Sequence, residues 1–390
     1  MPFDKTVLQV IPAMDAGGAE RTTLEMARAI VAAGGRAIVA TSAGRMIADL
    51  ERAGAHVALM PVQSKNPLTI MSNAGRLSAL IRAQRVDIIH ARSRAPAWSS
   101  LVAARRTGAA FVTTWHGAYR SGSPWKRFYN SAMARGDLVI ANSAFTAASI
   151  RAAGDPGERL KVIHRGADTD EFNPRAIGGD RVDALLTKWG LEKGLGPLLL
   201  LPGRLTDWKG HSLAIEALQR LPAKVPAGAM ANLRLIFAGD AQGRDGYASS
   251  LLRGVREQGQ DRMIRFVGHC DDMPAAYAAA DVVLSPSTRP EAFGRIAAEA
   301  GAMERIAIAA DHGGQRETII DGETGFLVKP GSADALATAI ATAMSMSAVS
   351  RAAMGTKARA RIASLFSAAA MTAATLDAYR MVLGDGVRAA

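Results

Sequence analysis

The chain reads as an α/β protein made of two doubly wound domains, and three observations predict this. Its 390 residues are long for one core and comfortable for two domains of ordinary size. Short β-branched runs alternate with longer Ala/Leu/Arg segments of helical period, the cadence of parallel strands joined by crossover helices. The cadence breaks once, at "ADTDEFNPRAIGGDR" (167–181), where Asp, Asn, Pro and Gly gather and neither period fits. Before the break the expected strands are "TVLQVI", "RAIVAT", "VDIIHA", "AAFVTT", "DLVIAN" and "LKVIH"; after it they are "GPLLLLPG", "NLRLIFAGD", "MIRFVG", "ADVVLSPS", "RIAIAA" and "GFLVKP". We divide the chain into 1–172, 173–365 and a tail, 366–390. Two such sheets are expected to face each other across a cleft at the carboxyl ends of their strands, where this class of sheet binds ligands. Residues 332–390 read as three helices, the last carrying Leu365, Leu376, Tyr379 and Leu383 on one packing face.

Composition bounds the function. Forty-nine per cent apolar and 21% charged residues describe a globular protein, not a disordered one. The single cysteine, Cys270, excludes an internal disulfide framework and a cysteine-based zinc site, and suits a reducing compartment. The amino terminus lacks the pattern of a secretory signal, and the long uncharged stretches fall short of the roughly 20 apolar residues of a membrane span. A cytoplasmic location is expected. The net charge of +12 is lopsided, because residues 1–180 hold 23 Lys/Arg against 14 Asp/Glu. Within them, residues 76–135 carry 11 basic residues and one acid, Asp87, a positive field suited to an anionic partner.

Four motifs carry candidate chemistry. In "VIPAMDAGGAERTTLEMARAI", Gly17 and Gly18 let backbone approach a ligand at a helix start with free N–H groups, though the spacing is not that of a dinucleotide fingerprint. In "LLLLPGRLTDWKGH", Arg204 leaves a strand and Lys209 arrives where the next helix begins. A cation there opposes the helix dipole and calls for an anion, such as a diphosphate held by Arg204 and Lys209, with Asp207 as the alternative neutralising group. In "PEAFGRIAAEAGA", Gly294 opens a helix whose first N–H groups, on Phe293, Gly294 and Arg295, suit a phosphate or sugar hydroxyl. Glu291 lies before that helix and Glu299 about two turns inside it, about 12 Å apart at about 1.5 Å per residue, the reach from a sugar ring to a ribose across a diphosphate. In "FVTTWHGAY", His116 follows a strand and is placed to hydrogen-bond a sugar hydroxyl or the reaction centre.

Other features have blander readings. His90 is expected to be a satisfied structural histidine, and Asn142 and Ser143 helix-capping residues. The pair Asp168 and Asp170 is discounted as a metal site because it falls in the linker. "TWHGAYRSGSPWKRFYNSAMAR" sets Trp115, Tyr119, Trp125, Phe128 and Tyr129 among Arg120, Lys126, Arg127 and Arg135. Ser123 caps and Pro124 starts a helix there. Its Trp125, Phe128, Tyr129 and Met133 are expected to share an apolar face beside basic residues, the pattern of an interfacial helix on anionic lipid, with ordinary core packing as the alternative.

Taken together, "GGAER", "WHG" (115–117), "ANSAFT" (141–146), "RGADTDEFNP" (165–174), "PGRLTDWKG" (202–210), "AGDAQGRD" (238–245) and "PEAFGRIAAEA" (290–300) resemble the retaining glycosyltransferases of family 4, over nearly the whole chain. The resemblance implies a GT-B fold of two Rossmann-like domains, the first binding acceptor and the second nucleotide sugar, with the last helix returning to the first domain. It implies that Arg204 and Lys209 bind the donor diphosphate, Glu291 the transferred sugar and Glu299 the ribose. Main chain at Phe293, Gly294 and Arg295 would bind sugar and phosphates, His116 would contact the sugar near the anomeric carbon, and Gly17 and Gly18 would lie by phosphate or acceptor. No bound metal or cofactor is implied, the UDP- or GDP-sugar being a co-substrate. Arg295 departs from the often apolar residue of the family.

The expected reaction is transfer, with retention, to a lipid-linked or lipopolysaccharide-type acceptor at the inner face of the cytoplasmic membrane, with Trp125, Lys126, Arg127 and Phe128 touching membrane or acceptor. The alternatives are a soluble acceptor, a sugar-nucleotide epimerase of the same fold, and a nucleic-acid-binding module; few aromatics outside 115–129 argue against the last.

Overall fold

The computed structural model describes residues 2–384 except 16, 118–122, 193, 195, 227 and 244. It divides into two compact units, Met1–Arg165 with Ala368–Ala390, and Gly166–Ser367. Tyr119 and Arg120 of the aromatic-basic stretch lie outside the described residues.

The first unit holds a parallel sheet of β1 (Thr6–Val10), β2 (Arg36–Thr41), β3 (His56–Leu59), β4 (Ile88–Ala91), β5 (Ala110–Trp115), β6 (Leu138–Ala141) and β7 (Leu160–Val162), in the order β3-β2-β1-β4-β5-β6-β7. Seven strands stand where the sequence reading expects six. The extra one, β3, is an edge strand whose "HVAL" is half-exposed to exposed, so it lacks the buried β-branched signature of its neighbours.

The second unit repeats the plan with β8 (Leu198–Pro202), β9 (Arg234–Ala238), β10 (Ile264–Gly268), β11 (Val282–Ser285), β12 (Ile306–Ala310) and β13 (Phe326–Val328), in the order β10-β9-β8-β11-β12-β13. The run Leu198–Leu201 shows why central strands read as unbroken apolar sequence. Leu199 and Leu201 enter one hydrophobic layer and Leu198 and Leu200 the other, because helices cover both faces. Strand order reverses between β1 and β4 and between β8 and β11, the switch points outside which doubly wound sheets bind ligands.

The tail forms helices Ala333–Ser345, Ala348–Leu365 and Ala368–Gly384. Leu365 does not share the last helix's face: it ends the preceding helix and is exposed, because the chain leaves helical geometry at Phe366 and Ser367 bridges to Ala167. The last helix buries Met371, Leu376, Ala378 and Tyr379 in the first unit's core beside Phe3, Val7 and Ile30. No single helix among the described residues is long and apolar enough to cross a membrane; Ala333–Ser345 and Ala348–Leu365 combine length and apolarity only jointly, bent by 113°.

Candidate functional site

In the second unit the loops after β8 and β11, the two strands flanking the switch point, meet. Thr288 N donates to the Trp208 carbonyl at 2.7 Å, which ties one loop to the other. Across this junction Lys209 Nζ lies 2.6 Å from Glu291 Oε1, with the side chains only 13% and 14% exposed. Ser287 Oγ donates to the same oxygen at 2.7 Å, and the Lys209 ammonium sits 4.7 Å from the centre of the Trp208 ring. Asp207 neutralises neither Lys209 nor Arg204; its carboxylate takes Arg289 at 2.8 Å on the exposed side of the loop. Arg204 is exposed at the end of β8, with no hydrogen bond or ion pair among the described residues.

The helix of the opening motif runs Arg295–Ala302, capped by Gly294 at φ 92°, a left-handed geometry that favours glycine. Glu299 is therefore one turn inside, not two: the stretch from Glu291 to Phe293 is a loop. Glu299 Oε1 accepts from Arg295 Nε (3.1 Å) and Nη2 (2.8 Å), and Oε2 accepts from Tyr277 Oη at 2.8 Å. Burial, then the Glu299 charge and hydrogen bond, hold the Tyr277 phenol well above its usual range, so it stays a donor. Phe293 buries its ring against Phe366, leaving its main chain to serve the helix end.

What supports this loop was not read from the sequence. Gly313 and Gly314 pack directly on it: a Cβ at Gly313 would stand 2.4 Å from the Glu291 carbonyl oxygen, and one at Gly314 2.5 Å from that of Ala292. Gly314 N donates to the Glu291 carbonyl at 2.8 Å, and the His312 ring donates from Nε2 to the Ser287 carbonyl at 2.8 Å. The Gly-Gly pair after "IAIAADH" was the available signal. A cavity of about 590 Å³ in the same unit opens instead at the amino ends of the strands, lined by Leu198, Arg234, Arg265 and Val282, and contains none of these residues.

In the first unit a second polar cluster gathers at the carboxyl ends of β4, β5 and β7. His90 is buried with Nδ1 2.6 Å from the Tyr379 hydroxyl and Nε2 2.7 Å from Thr114 Oγ1. Arg92 is buried and donates to Thr22 Oγ1 at 2.6 Å; burial lowers its affinity for a proton. His116 accepts at Nδ1 from Arg165 Nη2, and burial, then Arg165, Arg92 and His90, hold its imidazole well below the usual value. Gly17 precedes and Gly18 begins the helix Gly18–Ala32 that follows β1; a Cβ on Gly17 would meet only the flexible end of Glu20. Ser143 caps the helix after β6 by accepting from Thr146 N. Asp168 accepts from the main-chain N–H of Asp170 and Glu171, a turn-forming role.

The helix Pro124–Ser131 presents Trp125 at 81% and Phe128 at 55% exposure, with Lys126 and Arg127 also exposed. Met133 does not join that face: the helix ends first, and Met133 turns wholly into the core. Phe128 stacks on Trp98 at 4.8 Å, and Arg135 lies 5.2 Å over the same Trp98 ring.

These two switch-point clusters can be set beside known proteins. Residues 16–171 match the family described as Glycosyltransferase Family 4, and residues 188–361 match Glycosyl transferases group 1. A glycosyltransferase crystal structure from Rickettsia africae is 32% identical, covers 98% of this chain and 100% of its own, and superposes with a TM-score of 0.88. The chain belongs to glycosyltransferase family 4. As a family 4 enzyme of GT-B fold, it is also 29% identical over 352 residues, 80% of each chain, to the D-inositol 3-phosphate glycosyltransferase of Xylanimonas cellulosilytica. Anabaena HepE, solved in complex with UDP-glucose, is 25% identical with a TM-score of 0.80, covering 96% of this chain and 99% of its own. Within the glycosyltransferase, the residues drawn together in the second unit are Lys209, Glu291 and the loop to Arg295, with Glu299 one turn on.

Proposed function

We propose that this glycosyltransferase moves a hexose-type sugar, with retention, from a UDP- or GDP-sugar to a lipid-linked or lipopolysaccharide-type acceptor at the cytoplasmic membrane face. Arg204, Lys209 and the amino end of helix Arg295–Ala302 take the diphosphate, Glu291 the sugar hydroxyls and Glu299 the ribose. His116 contacts the sugar near the anomeric carbon, and Gly17 and Gly18 line phosphate or acceptor. The observation that carries the reading is the meeting of cation, acid and helix end at the β8/β11 switch point. The UDP-glucose complex of HepE supports a uridine donor.

As the bond to the leaving diphosphate breaks, negative charge grows on its oxygens while the anomeric carbon becomes oxocarbenium-like. Fixed cations and helix N–H groups favour that charge more than the ground state. The acceptor hydroxyl attacks from the face the leaving group vacates, and the departing phosphate takes its proton. Donor binding replaces the Lys209–Glu291 contact: phosphate oxygens take the ammonium and sugar hydroxyls take the carboxylate. The charge stabilisation is supplied by side chains, so turnover persists in EDTA.

The acceptor class rests on the exposed Trp125 and Phe128 beside Lys126 and Arg127. The test is incubation with UDP- and GDP-sugars, with and without lipid-linked and soluble acceptors, reading transferred sugar and its anomeric configuration by NMR. Transfer with retention supports the reading. Conversion of donor alone assigns an epimerase, and transfer only to a soluble polyol phosphate removes the membrane acceptor.

A further inference from the structure

Buried His90 and half-buried His116 both follow or end a strand of the first sheet, but they differ in bonding. His90 has both ring nitrogens engaged, by Tyr379 and Thr114. His116 has one engaged, by Arg165, while its Nε2 is covered and has no partner among the described residues. An arginine guanidinium has donors and no acceptor, so the nitrogen facing Arg165 must offer a lone pair. The proton of the neutral ring is then on Nε2. Resting on the functional reading above, we propose that Arg165 is a positioning residue that locks His116 in the Nε2–H form, making it a hydrogen-bond donor to the sugar or leaving phosphate and not a base.

The fold builds this lock. His116 follows β5 and Arg165 follows β7, two places along in the same sheet, and the Arg165 main-chain N–H donates to the Asn142 carbonyl at 3.2 Å after the strand between them. Among the described residues, the titratable and charged groups facing His116 are Arg165, Arg92 and His90, and none of these is an acid. Arg92 is itself turned toward Thr22, with Glu25 and Tyr379 as its electrostatic partners. A second ring proton would have to sit on Nδ1, between the ring and a guanidinium that only donates. The site thus keeps a neutral donor where negative charge develops, and leaves the acceptor's proton to the departing phosphate.

The test is a nitrogen-15 histidine spectrum of the full chain, with His116→Gln assigning the resonance. The expected wild-type pattern is protonated Nε2 and bare Nδ1, unchanged from pH 8 to 6. In Arg165→Gln the ring is expected to mix tautomers and to protonate at higher pH than in wild type. Its kcat should fall about 10–100-fold with donor KM little changed, as for loss of a supporting partner. Arg165→Lys, which keeps one donor and the charge, should recover part of both signals. A bare Nε2 in the wild-type spectrum overturns the inference whether or not any variant folds. So does an Arg165→Gln enzyme with unchanged spectrum and kcat. Failure of the wild-type enzyme to transfer sugar from any nucleotide sugar counts against the functional reading alone, because the ligand-free spectrum decides the tautomer separately.

Discussion

Breaking the Lys209–Glu291 pair separates stability from turnover. At 2.6 Å, and with an effective dielectric of about 20, the attraction is about 6 kcal/mol gross, offset by several kcal/mol of desolvation for each ion. Replacing Glu291 by Gln takes the counter-charge from the Lys209 ammonium, 13% exposed, and leaves it a neutral amide oxygen and the Trp208 ring. The expected loss is about 3 kcal/mol, a fall of about 6–12 °C in the melting of a unit of this size. Lys209→Met should cost a similar amount, but the double variant removes both charges and should lose only about 1 kcal/mol where the singles sum to about 6, a coupling of about 5 kcal/mol. Turnover should not recover. Each single variant and the double should lose transfer by about 100-fold or more, because the charges are needed on the donor. The assay is a double-mutant cycle by urea unfolding, followed by transfer kinetics on the same four proteins. A coupling below about 0.5 kcal/mol refutes the energetic argument, and a double variant that still turns over refutes the assignment of both residues.

Other outcomes follow from neighbouring geometry. His211 is fully buried against Phe237, and burial, then Lys209, lower its pKa to about 4. The folded state thus resists a proton that the unfolded chain accepts at about 6.5, so the contribution is complete above pH 6.5 and is lost as pH falls toward 4. It amounts to about 3 kcal/mol, and His211→Gln should flatten that slope in urea titrations. Gly294→Ala forces a side chain onto φ 92° and sets its Cβ 2.7 Å from Cγ of Gln315, a side chain whose Oε1 accepts from Ser285 Oγ at 2.5 Å. Calorimetry should show a loss of about 2–3 kcal/mol, with a raised donor KM. Reversing Lys126 and Arg127 to Glu should abolish sedimentation with anionic vesicles at low salt and spare soluble-acceptor turnover; unchanged sedimentation removes the membrane role.

The architecture was legible wherever both faces of a strand are buried: "LLLLP" admits no polar residue, and in "TVLQV" the buried Gln9 donates its amide to the Thr23 carbonyl. It was least legible at the rim. β3 lies on the edge with Leu59 exposed, and the turn at Phe366 is set by pairing of Ser367 with Ala167, about 200 residues away. The candidate site shows the same division. Arg204, Lys209, Glu291 and Glu299 announce themselves by position after strands or inside a helix. Who holds them does not: Arg289 takes Asp207, Tyr277 takes Glu299, and Arg165 takes His116 from 49 residues away. Such pairings depend on strand order, which local periodicity does not encode.

The first unit draws its residues from both ends of the chain, and the second from one continuous stretch. On a ribosome adding about 5–20 residues per second, the segment that ends in Tyr379 emerges about 10–40 s after residue 165. Until then the nascent amino-terminal sheet lacks the hydroxyl for His90 and the helix that covers Phe3. The half made second is therefore able to close first, and removal of residues 368–384 does its damage in the sheet built from residues 6–162, at the other end of the sequence.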